Sequence, residues 1–156
     1  MSLESLTTLS EGTERGVSDW LQVTQADVDT FAGVTRDEDR YHIDPEWAQD
    51  NSPLGMTISF GFFTMSLLSN FVYQVFDQHG ITTEELSQVF NFGFNRLRLP
   101  APVPVGAEIR GCFVLAGTRR RRPSGHLEVT LTTTIEIRDS DRPALVADWL
   151  FVEGGQ

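Results

Sequence analysis

The sequence predicts an α+β domain in which an antiparallel sheet wraps one long apolar helix. Three features predict it. Residues 54–76 carry no charged side chain over 23 positions, so a helix there needs cover on most of its sides. From Phe90 onward the apolar period becomes two, the period of a strand. The later strand-like runs are joined by short segments such as "RPSG" and "DSDRP", and strands linked by tight turns pair antiparallel. A sheet curled around that helix buries both apolar faces at once.

Each element follows from its residues. Residues 1–15 read as a flexible polar segment, and 16–156 as one domain, within the roughly 100–200 residues usual for a domain. "GVSDWLQVT" (16–24) predicts a short strand. Thr24-Gln-Ala-Asp27 matches a capping box with Asp in place of Glu, and Val28, Phe31 and Ala32 give the helix one apolar face. Gly33 is expected to close it. Asp44-Pro45 marks a second start, Asp as N-cap and Pro at the first helical position.

The long helix is expected to begin near Ser59–Gly61 and to end by Gly80. Its uncharged stretch is long enough to span a bilayer. Thr57, Ser59, Thr64, Ser66, Ser69, Asn70 and Gln74 within it, and its acidic flanks, argue for a buried helix instead. Phe90, Phe92 and Phe94 then alternate with polar residues, and the phase slips to Leu97 and Leu99. That slip predicts a bulge near Asn95–Arg96. "PAPVPVG" (100–106) ends the strand, and alternating runs at 109–115 and 127–137 precede a last strand over 144–153.

Composition narrows the function classes. The net charge is −10, with no lysine among the twelve basic residues, so general nucleic-acid binding is not expected. Residues 1–50 carry a net −9 and residues 91–142 a net +4, so the second half can meet an anionic ligand despite the acidic total. Cys112 is the lone cysteine. It admits no internal disulfide and no zinc site built on several thiolates, and it fits a cytoplasmic location. "MSLESLTTLSEGTERG" lacks the basic start and apolar core of a signal peptide. His42, His79 and His126 are scattered, and no metal site is expected. Ser66 and Ser69 lack a Gly-x-Ser-x-Gly setting, and no phosphate-binding glycine loop is present.

The densest chemistry lies in "TRDEDRYHID" (35–44), with four acids, two arginines and a histidine. Asp37 precedes His42 by five residues, close enough for both to meet one water. A carboxylate and an imidazole suit addition or removal of water beside a carbonyl, because one accepts a proton and the other returns it. Taken alone, the spacing also fits a solvated charged loop.

The surroundings extend the pattern. "VTQADVDTFAGVTRDEDRYHIDPEWAQ", then "GMTISFGFFTMSLLSNF" and "NFGFNRLRLPAPVPVGAEI", resemble the MaoC-like dehydratases, which include the R-specific enoyl-CoA hydratases. The resemblance covers roughly residues 20–152. It implies the hot-dog fold, a homodimer with joined sheets, and a place in fatty acid metabolism. The implied reaction is hydration of a trans-2-enoyl-CoA to the (R)-3-hydroxyacyl-CoA. No cofactor is implied; coenzyme A enters as part of the substrate, or acyl carrier protein takes its place. Neither nucleic acid nor membrane is an expected partner.

By position, Asp37 and His42 match the catalytic pair. Gly61 matches the glycine whose N–H meets the thioester oxygen, and Ser69 a serine near the reacting centre. Asp39, Arg40 and Phe60 depart from the pattern, standing where the family has Asn, Pro and His. Loss of that proline is expected to loosen the loop. These departures keep a non-catalytic acyl-thioester-binding subunit open, and the fold also admits a thioesterase. Arg96, Arg98, Arg119 and Arg120 are candidate contacts for coenzyme A phosphates, or solvated strand and hairpin residues.

Overall fold

In the computed structural model, residues 12, 14–82 and 89–153 are described. The chain runs β1 (Glu14–Val17), β2 (Leu21–Gln22), α1 (Gln25–Thr35), α2 (Arg40–Ile43), α3 (Pro45–Asn51), α4 (Gly61–Ser66), α5 (Leu68–Gln78), β3 (Val89–Arg98), β4 (Glu108–Arg120), β5 (Leu127–Ile137) and β6 (Leu145–Glu153). One antiparallel sheet has the order β1-β4-β5-β6-β3, with β2 also on β4. The predicted helix-in-sheet α+β architecture is the observed one. Of residues 1–15, only Gly12, Glu14 and Arg15 are described, and the last two open β1.

The predicted strand at 16–24 is two short ones. Ser18 breaks it by turning its own groups onto β4: its N–H donates to Gly111 O (2.9 Å) and its hydroxyl accepts from Gly111 N–H (2.9 Å). The capping box forms as read, with Asp27 N–H donating to Thr24 Oγ1 and Thr24 N–H to Asp27 Oδ2. Helix α1 does not stop at Gly33 but runs to Thr35. Arg36 takes the left-handed C-cap position, φ 61°, and sends its N–H back to Ala32 O. Glycine inside a helix costs only about 1 kcal/mol, too little to end one alone.

The long helix spans Gly61 to Gln78 but is split at Leu67, which stays near-helical at φ −67°, ψ −15°. Leu68, Phe71, Val72, Val75 and Phe76 form its buried face. Its far side is not fully covered, because Phe62 and Tyr73 stay exposed. Sheet and helix approach closely at Gly111, where a Cβ would sit 2.7 Å from Phe71 Cβ. Only a residue without Cβ lets β4 come this near. The core around Phe71, Phe113, Leu131, Ile135 and Trp149 gains about 1.5–3 kcal/mol from each large side chain buried. The bulge expected near Asn95–Arg96 is present: register shifts between Asn95 and Arg98, and Arg96 has φ 52°. No helix among the described residues is long and apolar enough to cross a membrane.

Candidate active site

The charged loop is held more firmly than its sequence suggests. After Arg36, Asp37 Oδ1 accepts from Asp39 N–H at 3.3 Å. Asp39 caps α2, a single unpredicted turn, by accepting from Tyr41 N–H (3.0 Å). Arg40 donates twice to Asp44 Oδ2 (3.0 and 2.8 Å), and its guanidinium lies 4.9 Å from the Trp47 ring centre. Asp44 in turn caps α3 by accepting from Trp47 N–H (2.9 Å). The Trp47 N–H first, and then Arg40, hold the Asp44 carboxyl below the usual aspartate range. Where the family has a proline, this loop has the Arg40–Asp44 pair and two caps.

This framework sets His42. Its Nδ1 lies 2.7 Å from Ile58 O. A carbonyl oxygen only accepts, so Nδ1 carries a proton, and in the neutral ring Nε2 holds the lone pair. One ring face rests on Phe60, 3.8 Å between centroids at 34°. Phe60 is 3% exposed and packs on Phe31, 5.3 Å away. The departure at position 60 thus places an apolar ring beneath the imidazole.

His42 lines a cavity of about 280 Å³ with Ile58, Ser59, Gly61, Thr64, Leu99, Ala101, Pro102, Val103 and Ala144. Gly61 begins α4, whose N-cap Phe60 supplies no side-chain cap. Among the described residues nothing accepts from the Gly61 N–H. A first-turn N–H is an unpaired donor at the positive end of the helix. The cavity therefore holds an imidazole nitrogen able to move a proton and a backbone donor able to meet developing negative charge.

The other predicted residues sit elsewhere. Asp37 is exposed on the loop and is not part of that cavity wall. Ser69 lines a separate slot of about 70 Å³ with Val72, Tyr73, Phe76, Val89 and Trp149. Arg96 pairs with Asp148, and Arg119 with Glu128 at 2.5 Å. Arg120 donates to Gly125 O (3.2 Å). Arg98, which donates to Leu97 O (2.8 Å), directly precedes the cavity residue Leu99. Sequence reasoning missed Leu99 and Ala144 as walls, and Gln25, which bonds the His42 backbone from α1. No local pattern marks these three, because each arrives by tertiary approach.

The family model described as "MaoC like domain" matches residues 7–137. A protein named 3-hydroxyacyl-thioester dehydratase Z from Mycobacterium tuberculosis is 38% identical over 137 residues, covering 88% of this chain and 86% of that one. Nodulation protein N of Rhizobium leguminosarum bv. viciae is 38% identical over 141 residues, 90% of this chain and 84% of that one. Among solved structures, an (R)-hydratase from A. caviae involved in PHA biosynthesis superposes with a TM-score of 0.72 at 22% identity, covering 94% of this chain and 98% of that one.

Proposed function

The chain belongs to the MaoC-like dehydratase family, and on that premise we propose that it reversibly hydrates a trans-2-enoyl thioester to the (R)-3-hydroxyacyl thioester. The observation that supports this most is the shared cavity of His42 and Gly61. The imidazole donates from Nδ1 to Ile58 O, which leaves Nε2 of the neutral ring for proton transfer. Among the described residues, the Gly61 amide in the same wall has no acceptor.

In this reading the thioester carbonyl oxygen accepts from the Gly61 N–H. As water oxygen adds to the β-carbon, negative charge builds on that carbonyl oxygen, and the amide stabilises it. Donors of this kind elsewhere contribute roughly 2.7–4 kcal/mol to the barrier. The attacking water loses one proton to His42 Nε2 in the cavity wall, and the α-carbon gains one from the same imidazole; Asp37 would have to turn in from its exposed place on the loop to share either transfer. Dehydration runs the same steps backward. Coenzyme A, or a carrier protein, is the thiol half of the substrate, and no further cofactor takes part.

The active form in this proposal is a homodimer with joined sheets. Strand β3 lies at the sheet edge and pairs only with β6 among the described residues. Phe90 (61% exposed) and Phe92 (53%) stand along it. A bare apolar edge is an invitation to pair.

The test is a panel of enoyl-CoA thioesters of different chain length, followed by loss of enone absorbance, with free thiol measured in parallel. Loss of absorbance without thiol release is expected. Thiol release would make the protein a thioesterase. Thermal stabilisation by the thioesters without any turnover would make it a binding subunit.

A further inference from the structure

Behind the imidazole, one side chain joins three segments. Gln25 Nε2 donates to His42 O (2.7 Å) and to Asp29 Oδ1 (2.8 Å), and Gln25 Oε1 accepts from Thr57 Oγ1 (2.6 Å). Thr57 is buried, and it immediately precedes Ile58, whose carbonyl accepts the His42 Nδ1 proton. Ile58 N–H also donates to Tyr41 O at 3.1 Å. One amide therefore holds the backbone of the histidine at one end and, at the other, the side chain of the residue beside its proton acceptor.

The polarity of this amide is forced. His42 O and Asp29 Oδ1 can only accept, so the NH₂ end faces them. The oxygen then faces Thr57, whose hydroxyl must donate. Both N–H groups and the carbonyl are thus satisfied. No other side chain of this length presents two donors and an acceptor in this arrangement; glutamate has the reach but no donor.

We propose that Gln25 is a positioning residue for His42: it fixes the separation of the imidazole from Ile58 O, so that Nδ1 keeps its proton and Nε2 remains the proton-transfer nitrogen. The inference rests on the reading of His42 as an acid–base group, and it deepens that reading. Without the amide, the α2 turn and the 57–59 segment lose this bridge and keep only the Ile58 N–H bond to Tyr41 O and the His42–Ile58 bond itself. The ring then samples other distances from Ile58 O, and both neutral tautomers become populated.

The experiment reads the ring directly. Nitrogen-15 shifts of the histidine side chains report the tautomer, and His42→Gln assigns the His42 signals. The variants are Gln25→Met, which keeps the bulk, and the pair Thr57→Val and Thr57→Ser. In the parent, His42 is expected as the Nδ1–H form. Gln25→Met and Thr57→Val should mix the tautomers and lower kcat about tenfold, with KM within about twofold. Thr57→Ser keeps the hydroxyl and should behave as the parent.

Unchanged ring signals and kcat in folded Gln25→Met overturn the proposal, even if its melting temperature falls. Should Gln25→Met not fold, the Thr57 pair decides by the same two readouts: the proposal fails if Val and Ser behave alike. Tautomer mixing in a protein that turns over no thioester would leave Gln25 as the positioning residue and refute the hydratase reading instead.

Discussion

Leu99 lies directly against Gly61: a Cβ built on that glycine would sit 2.6 Å from Leu99 Cδ1. The clash involves the far end of a half-exposed side chain, so the leucine can move while the backbone stays. Gly61→Ala should leave the fold nearly as stable, because gained helix propensity offsets crowding, each about 1 kcal/mol. Turnover should fall about 10–100-fold, since the displaced leucine reshapes the wall where the carbonyl must sit. Leu99→Ala added to Gly61→Ala should recover most of that loss. Equal turnover in parent and Gly61→Ala would mean that the thioester does not dock at this amide.

The Asp37–His42 pair separates into two expectations. His42→Ala should lower turnover by about 10²–10⁴, as loss of an acid–base group does. Asp37→Asn should fall in the same range, although Asp37 is exposed in the single chain and outside the His42 cavity wall. Asp37→Asn removes no core packing and should melt close to the parent, whereas His42→Ala also loses the Phe60 ring contact and the Ile58 O bond and should melt lower. Full activity in Asp37→Asn would leave His42 alone to move both protons.

Much of this was legible in the sequence because it depends on local pattern. The alternation from Leu127 to Ile137 predicts β5 residue by residue, and the slip at Asn95–Arg96 marks a real bulge. Thr24 and Asp27 cap α1 as their spacing implies. What was not legible depends on geometry that no period encodes. A one-turn helix such as α2 has no apolar repeat, only the Asp39 cap. The Arg40–Asp44 pair sits at the i, i+4 spacing that favours contact, but its role in bracing the loop appears only once α2 and α3 are placed. The cavity wall joins Leu99 and Ala144 to His42, and sequence distance says nothing of that meeting.

Glu128 provides a stability test with a defined pH sign. Its carboxylate, 3% exposed, bonds Arg119 (2.5 Å) and Arg121 (2.8 Å). The Arg119 hydrogen bond first, against the opposing effect of burial and helped by Arg121, holds this carboxyl below its ordinary 4.5. A depressed folded value means stability that is fully present above 4.5 and drains as pH falls through the folded value. Glu128→Gln should cost about 1 kcal/mol at neutral pH, the low end because the Arg119 guanidinium remains largely in water. Urea midpoints of the two proteins should then converge as the pH drops below 4.5. A gap that persists unchanged at about pH 3 would show that charge is not the source.

The edge strand tests the assembly. Phe90 pairs with Val152 on β6, and its other side has no neighbour among the described residues. Phe92 is a poorer probe, since the Arg121 guanidinium already lies 4.3 Å from its ring centre. A stable protein interface removes on the order of 1,200–2,000 Å² from water, and a charge at its apolar centre is costly to desolvate. Phe90→Lys should therefore halve the mass measured by light scattering at micromolar concentration. It should keep the fold, because the side chain is exposed in the single chain and lysine is well tolerated on free edges. If the dimer shapes the cavity mouth, turnover falls with the mass and recovers at high protein concentration. A parent that is monomeric, or a Phe90→Lys variant that stays dimeric, would exclude pairing through β3.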